Sequence, residues 1–75
     1  MVIIFPNPTS DKVHIKLNKS DTATVSIYNM AGQQLLFINF KGNETEIDLS
    51  TFKTGIYLIE VKGENILEID RLIKK

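Results

Sequence analysis

The chain contains no cysteine and no tryptophan, and has only two prolines and four glycines among its 75 residues. Without cysteine, neither a disulfide nor a thiolate metal site braces the fold. That matters at this length, because so short a domain buries only about 60% of the surface its unfolded chain exposes. Charge of one sign is also not in excess: nine Lys and Arg balance nine Asp and Glu. A neutral chain lacks the basic face that nucleic-acid binding needs, so no nucleic-acid partner is expected. Long apolar runs are missing too. Val2 to Phe5 is too short for a membrane span or a secretory leader. If the domain is exported, its address lies elsewhere or in the domain itself. No segment sustains a helical period, and there is no internal repeat or linker. The length allows one domain, residues 1–75.

What is present is alternation. Thr54 to Lys62 reads as a central strand, with Tyr57, Ile59 and Val61 on one face and Ile56, Leu58 and Glu60 on the other. Lys12 to Leu17 alternates without a fault, placing Val13, Ile15 and Leu17 inward. Thr22 to Tyr28 repeats the pattern with Ala23, Val25 and Ile27, and Glu44 to Leu49 with Ile47 and Leu49. Gln33 to Phe40 is apolar on both faces. The set Leu36, Ile38 and Phe40 is expected to face the core, although a slip of one residue would exchange the faces. Pro6 and Pro8 close the first segment, and Thr9-Ser10-Asp11 turns the chain with side chains that bond their own backbone. Asn18 to Asp21 and Lys41 to Asn43 read as further turns. Asn29-Met30-Ala31-Gly32 reads as a hairpin loop with Gly32 in the left-handed position, and Gly55 is assigned a positive φ at the start of the central strand.

Seven strands follow, near residues 1–5, 12–17, 22–28, 33–40, 44–49, 55–62 and 65–73. Short strands at about ten-residue spacing predict an all-β, seven-stranded antiparallel, immunoglobulin-like β-sandwich. Val13, Ile15, Val25, Ile27, Ile47, Leu49, Tyr57, Ile59 and Val61 are the expected core. The last segment has more apolar residues than one face needs. Leu67, Ile69 and Ile73 share one parity, and Ile66 and Leu72 the other, so part of it must face something besides the core.

The residues that carry chemistry are sparse. His14 is the only histidine, and Lys12 and Lys16 beside it on the same face disfavour its charge rather than make it a base. No nucleophile with its base can be assembled, so no catalytic residue, cofactor site or metal site is assigned. Glu44, Glu46 and Asp48 line one strand face. Calcium wants roughly six to eight oxygens, usually from a loop, so this row reads better as a solvated face answering Lys12 and Lys16. Asn18-Lys19-Ser20 and Asn43-Glu44-Thr45 match the glycosylation pattern, which is short and common. Phe5, Phe37, Phe40, Phe52 and Tyr57 are scattered, and Tyr28 faces outward.

The order of the punctuating residues goes further. Phe5-Pro6-Asn7-Pro8-Thr9 is followed by Val13-His14-Ile15, by Tyr28-Asn29 and Gly32-Gln33, by Ile47-Asp48-Leu49-Ser50, by Gly55-Ile56-Tyr57 and by Arg71-Leu72-Ile73-Lys74. This series resembles the C-terminal sorting domain of type IX secretion system cargo in Bacteroidetes, over almost the whole chain. By position, Pro6, Asn7 and Pro8 match the family's opening motif, Gly32 its hairpin glycine, and Gly55 and Tyr57 its central strand. Arg71, Leu72, Ile73 and Lys74 match the terminal recognition strand, and Phe5 stands where the family more often has Tyr. The resemblance implies a non-enzymatic domain at the end of a larger exported protein. Its partners would be the outer-membrane secretion machinery and a surface sorting peptidase that cuts upstream of Met1, with no membrane span of its own and at most a weak edge-mediated dimer. The cargo would pass the periplasm and reach the cell surface or the medium. A terminal strand can be read by main-chain pairing at a sheet edge. On that view, removing Arg71 to Lys75 would strand cargo in the periplasm with the sandwich still folded. The other readings of such a chain are a fibronectin-like adhesion or carbohydrate-binding module, with Tyr28 as a contact, and a calcium-binding spacer.

Overall fold

Alternating apolar and polar residues bury one face of a pleated strand, and the described chain is built almost wholly on that pattern. In the computed structural model, residues 2–75 are described, the side chain of Ser20 excepted. Five strands form: β1 (Val2–Phe5), β2 (Lys12–Tyr28), β3 (Gln34–Asp48), β4 (Gly55–Gly63) and β5 (Leu67–Lys74). Met1, placed on the first strand by the sequence, lies outside the described residues. All the strand pairings are antiparallel and belong to one sheet. No helix is found among the described residues.

The seven expected segments fall on five continuous strands. Among the described residues each expected segment falls on a strand apart from Gln33, Leu49, Asn65 and Ile66 at their ends, but 12–17 and 22–28 are the two halves of β2, and 34–40 and 44–48 belong to β3. The turns expected at Asn18–Asp21 and Lys41–Asn43 lie opposite each other within this long hairpin. There the register shifts: Lys16 pairs with Glu44 and Asp21 with Gly42, so five steps on β2 answer two on β3. The surplus bulges out and bends both strands together, as extra residues in one strand of an antiparallel pair do. Gly42 takes a φ of +133° at that bend. Polar turn formers therefore made a kink instead of a reversal, because the ladder resumes on either side of it.

The kink divides β2 into two halves with different neighbours. β3 runs along one edge throughout. On the other edge, β1 pairs with residues 14–17 and β4 with residues 23–28. β5 lies outside β4. The sheet curls so that the end of β5 meets the segment after β1, where Thr9 and Lys74 form an isolated parallel bridge. Inside the curl, all nine expected core residues are buried, joined by Leu17, Ala23 and Leu72. Leu36, Ile38 and Phe40 pack against this core, as expected for β3, while Leu35 and Phe37 are exposed.

Candidate functional site

Two ends of the sequence meet at β5. The strand is amphipathic at period two, and its register on β4 sets Leu72 opposite Tyr57 and Ile73 opposite Ile56. Leu72 is wholly buried, whereas Leu67 is 65% exposed, Ile69 59% and Ile73 38%, with Arg71 also exposed. The surplus of apolar residues predicted for this segment is thus real, and its odd-numbered set lies on the outer face. Ile56 of β4 adjoins that row and is itself exposed. Of the four residues matched to the recognition strand, Arg71 and Ile73 point out and Leu72 lies in the core. Lys74 is 7% exposed, with its ammonium donating to the Lys75 carbonyl at 3.2 Å.

The opening motif lies against the same strand. The Asn7 side-chain amide donates to the Arg71 carbonyl at 2.6 Å, and its Oδ1 accepts from the Ile73 N–H at 3.0 Å. Thr9 continues the contact with its main chain, donating to the Ile73 carbonyl at 2.9 Å and accepting from the Lys75 N–H at 2.8 Å. Thr9 itself is buried, and its hydroxyl donates to the Lys12 carbonyl at 2.6 Å and accepts from the Asp11 N–H, the local turn chemistry expected there. Sequence reasoning gave Asn7 extended geometry before Pro8 and missed its reach to β5. The available signal was an amide side chain held between two residues without main-chain donors, Pro6 and Pro8.

The remaining motif positions are structural supports. Tyr57 donates from its hydroxyl to the Lys53 carbonyl at 2.6 Å and packs edge-on against Phe52, with ring centroids 5.3 Å apart. A strand tyrosine bonded back to the chain a few residues upstream is the corner used by Greek-key sandwiches. Gly32 has a φ of +88°, as the hairpin requires, and Asn29 Oδ1 accepts from Ala31 N and Gln33 N around it. The pairing jumps from Ile27–Leu36 to Tyr28–Gln34, leaving Leu35 as the bulge residue. Gly55 does not fit its expected role. It opens β4 without a positive φ, and a Cβ there would meet nothing within 4 Å. Once the strand begins at Gly55, an extended backbone suffices.

The acidic row pairs across the β2–β3 ladder, with Lys12 opposite Asp48, His14 opposite Glu46 and Lys16 opposite Glu44. Glu46 lies 3.6 Å from Lys12 Nζ and 3.5 Å from His14 Nε2, and the Phe5 ring stacks on His14 at 5.2 Å. Among the described residues no group of three acidic or histidine side chains converges on a metal-sized centre. Asp48 has its carboxyl held below the ordinary carboxylate range, first by the Ser50 N–H at 2.8 Å, then by the Ser50 hydroxyl and the Lys12 charge. Tyr28 and Phe37 line a shallow hollow on the outer face with Ser26 and Glu60.

Such an arrangement defines a small all-β module that offers a strand face. The sequence profile of the secretion system C-terminal sorting domain matches residues 3–75. The chain belongs to that family, whose domains are C-terminal sorting signals for type IX secretion of cargo proteins and are not catalytic. A relative is the endo-acting ulvan lyase of Formosa agariphila, 37% identical over 65 residues, covering 85% of this chain. The chain spans 13% of that protein's length. Cargo of the type IX system is exported to the cell surface or the extracellular space.

Proposed function

We propose that the outer face of β5, and not a linear peptide, is what the secretion machinery reads. The observation that carries this is the exposure of Leu67, Ile69, Arg71 and Ile73 on one strand face while Leu72, between them, is anchored in the core. Exposed apolar rows of this kind mark interaction sites, and Arg71 supplies a charge that can steer encounter. The domain would act as the last unit, residues 1–75, of a larger cargo that crosses the periplasm. A surface sorting peptidase would cut upstream of it. The domain would act as a monomer, since residues 7–9 already occupy part of the β5 edge. Counting β2 and β3 as two half-strands each at the kink recovers the seven strands of an immunoglobulin-like sandwich, which is the architecture we assign to the curled sheet.

The test is export of a reporter carrying this chain at its C-terminus in a host with the type IX system. Ile69→Ser and Arg71→Glu are expected to leave the fold intact and hold the reporter inside the cell. Normal export of both would remove β5 from the recognition surface.

A further inference from the structure

The contact between Asn7 and β5 has the geometry of strand pairing carried by a side chain. In a parallel ladder a residue donates to the carbonyl one place before its partner and accepts from the N–H one place after. Thr9 does this around Lys74, with the Ile73 carbonyl and the Lys75 N–H. Two residues earlier the same register sets Asn7 against Leu72. There the side-chain amide makes the two bonds, to the Arg71 carbonyl and the Ile73 N–H. An amide group reproduces the donor and acceptor of a peptide. Pro6 and Pro8 flank it and have no N–H, so the pairing cannot spread further along the segment. Further back on β5, Asp70 Oδ1 accepts from the Arg71 N–H at 2.8 Å.

We infer that Asn7 is the positioning residue of the sorting strand: its amide holds the end of β5 in the sheet, so that Arg71 and Ile73 face outward together. The inference rests on the reading that the outer face of β5 is the signal. It also assigns the mode of recognition at this end. The edge from Arg71 to Lys75 is already paired, so side chains and not main-chain addition are offered there. The opening motif and the terminal strand, 64 residues apart, are then halves of one signal.

Amide hydrogen exchange on the 75-residue chain, with export of a cargo bearing it, tests this. Asn7→Ala is expected to speed exchange at the Ile73 amide roughly tenfold, the worth of one lost hydrogen bond, while the Val25 and Ile59 amides keep their protection. Export should fall by a similar factor. Thr24→Val, which removes the hydroxyl's bond to the Lys62 carbonyl between β2 and β4, serves as the control and should export normally. Asn7→Asp gives a second readout, because a protonated carboxyl donates and accepts as the amide does. The Arg71 carbonyl favours that protonated form in the folded state, so the variant's deficit in Tm should narrow below about pH 4 and widen above it. Unchanged Ile73 exchange in Asn7→Ala, or a deficit in Asn7→Asp that ignores pH, overturns the inference. So does normal export of Asn7→Ala when Arg71→Glu is blocked, a result that leaves the β5 reading standing. Export of both variants overturns the two together.

Discussion

At Tyr57 a single hydroxyl links the corner to the core. The residue is 8% exposed and its hydroxyl donates to the Lys53 carbonyl, so Tyr57→Phe removes one hydrogen bond and leaves the packing on Phe52. A loss of about 1 kcal/mol is expected, measurable by urea unfolding; no loss would mean that the corner is held by packing alone. The glycines separate in the same way. Gly32→Ala forces a Cβ into a backbone at φ +88° and should cost about 1 kcal/mol or more, whereas Gly55→Ala should be neutral or slightly stabilising. Equal costs at both would contradict the φ assignment. Asp48 predicts the acid limb of stability. Its carboxyl is depressed by the Ser50 N–H and hydroxyl and by Lys12. The stabilisation is therefore present above the ordinary carboxylate pKa of about 3.9 and is lost as pH falls through the lower folded value. Asp48→Asn should flatten the change of Tm across that acid window, and an unaltered slope would assign it to other carboxylates.

At the scale of elements, β5 combines two jobs at alternate positions. Leu72→Ala should cost about 2–5 kcal/mol, since it empties a wholly buried site. Ile69→Ser, on the exposed face, should change stability by less than about 0.5–1 kcal/mol. Thermal melts of the two variants check the split, and a large loss in Ile69→Ser would place that residue in the core. The parity that separates them was legible in the sequence, because side chains alternate by two however the sheet curls. The core of β2 and β4 was legible for the same reason, as were the Asn29–Gly32 hairpin and the choice of Leu36, Ile38 and Phe40. Two things were not. Asn18 to Asp21 and Lys41 to Asn43 have the composition of turns, and only the pairing of β2 with β3 on both sides of them makes one kink out of two. Asn7 carries a long-range bond that no local pattern announces, because its partners belong to the other end of the chain.

For the whole molecule, the decisive feature is closure. β2 holds β1 and β4 on one edge, β4 holds β5, and residues 7–9 join β5 back to the segment after β1. Removing Arg71 to Lys75 would take away Leu72 from the core and the four hydrogen bonds made by Asn7 and Thr9. The sequence alone suggested that such a truncation spares the fold; the closed circuit predicts otherwise. Leu72 by itself is worth about 2–5 kcal/mol, against a total of about 5–15 kcal/mol for ordinary domains, and a domain this short belongs near the lower end. The truncated chain should therefore lose most of its cooperative melt by circular dichroism near physiological temperature. A truncation that melts within a few degrees of the intact chain would show that the circuit does not hold the fold. If the melt is lost, failed export of a truncated cargo reports unfolding as much as a missing signal. Only outward variants such as Arg71→Glu and Ile69→Ser, which leave Leu72 and the Asn7 bonds in place, separate recognition from folding.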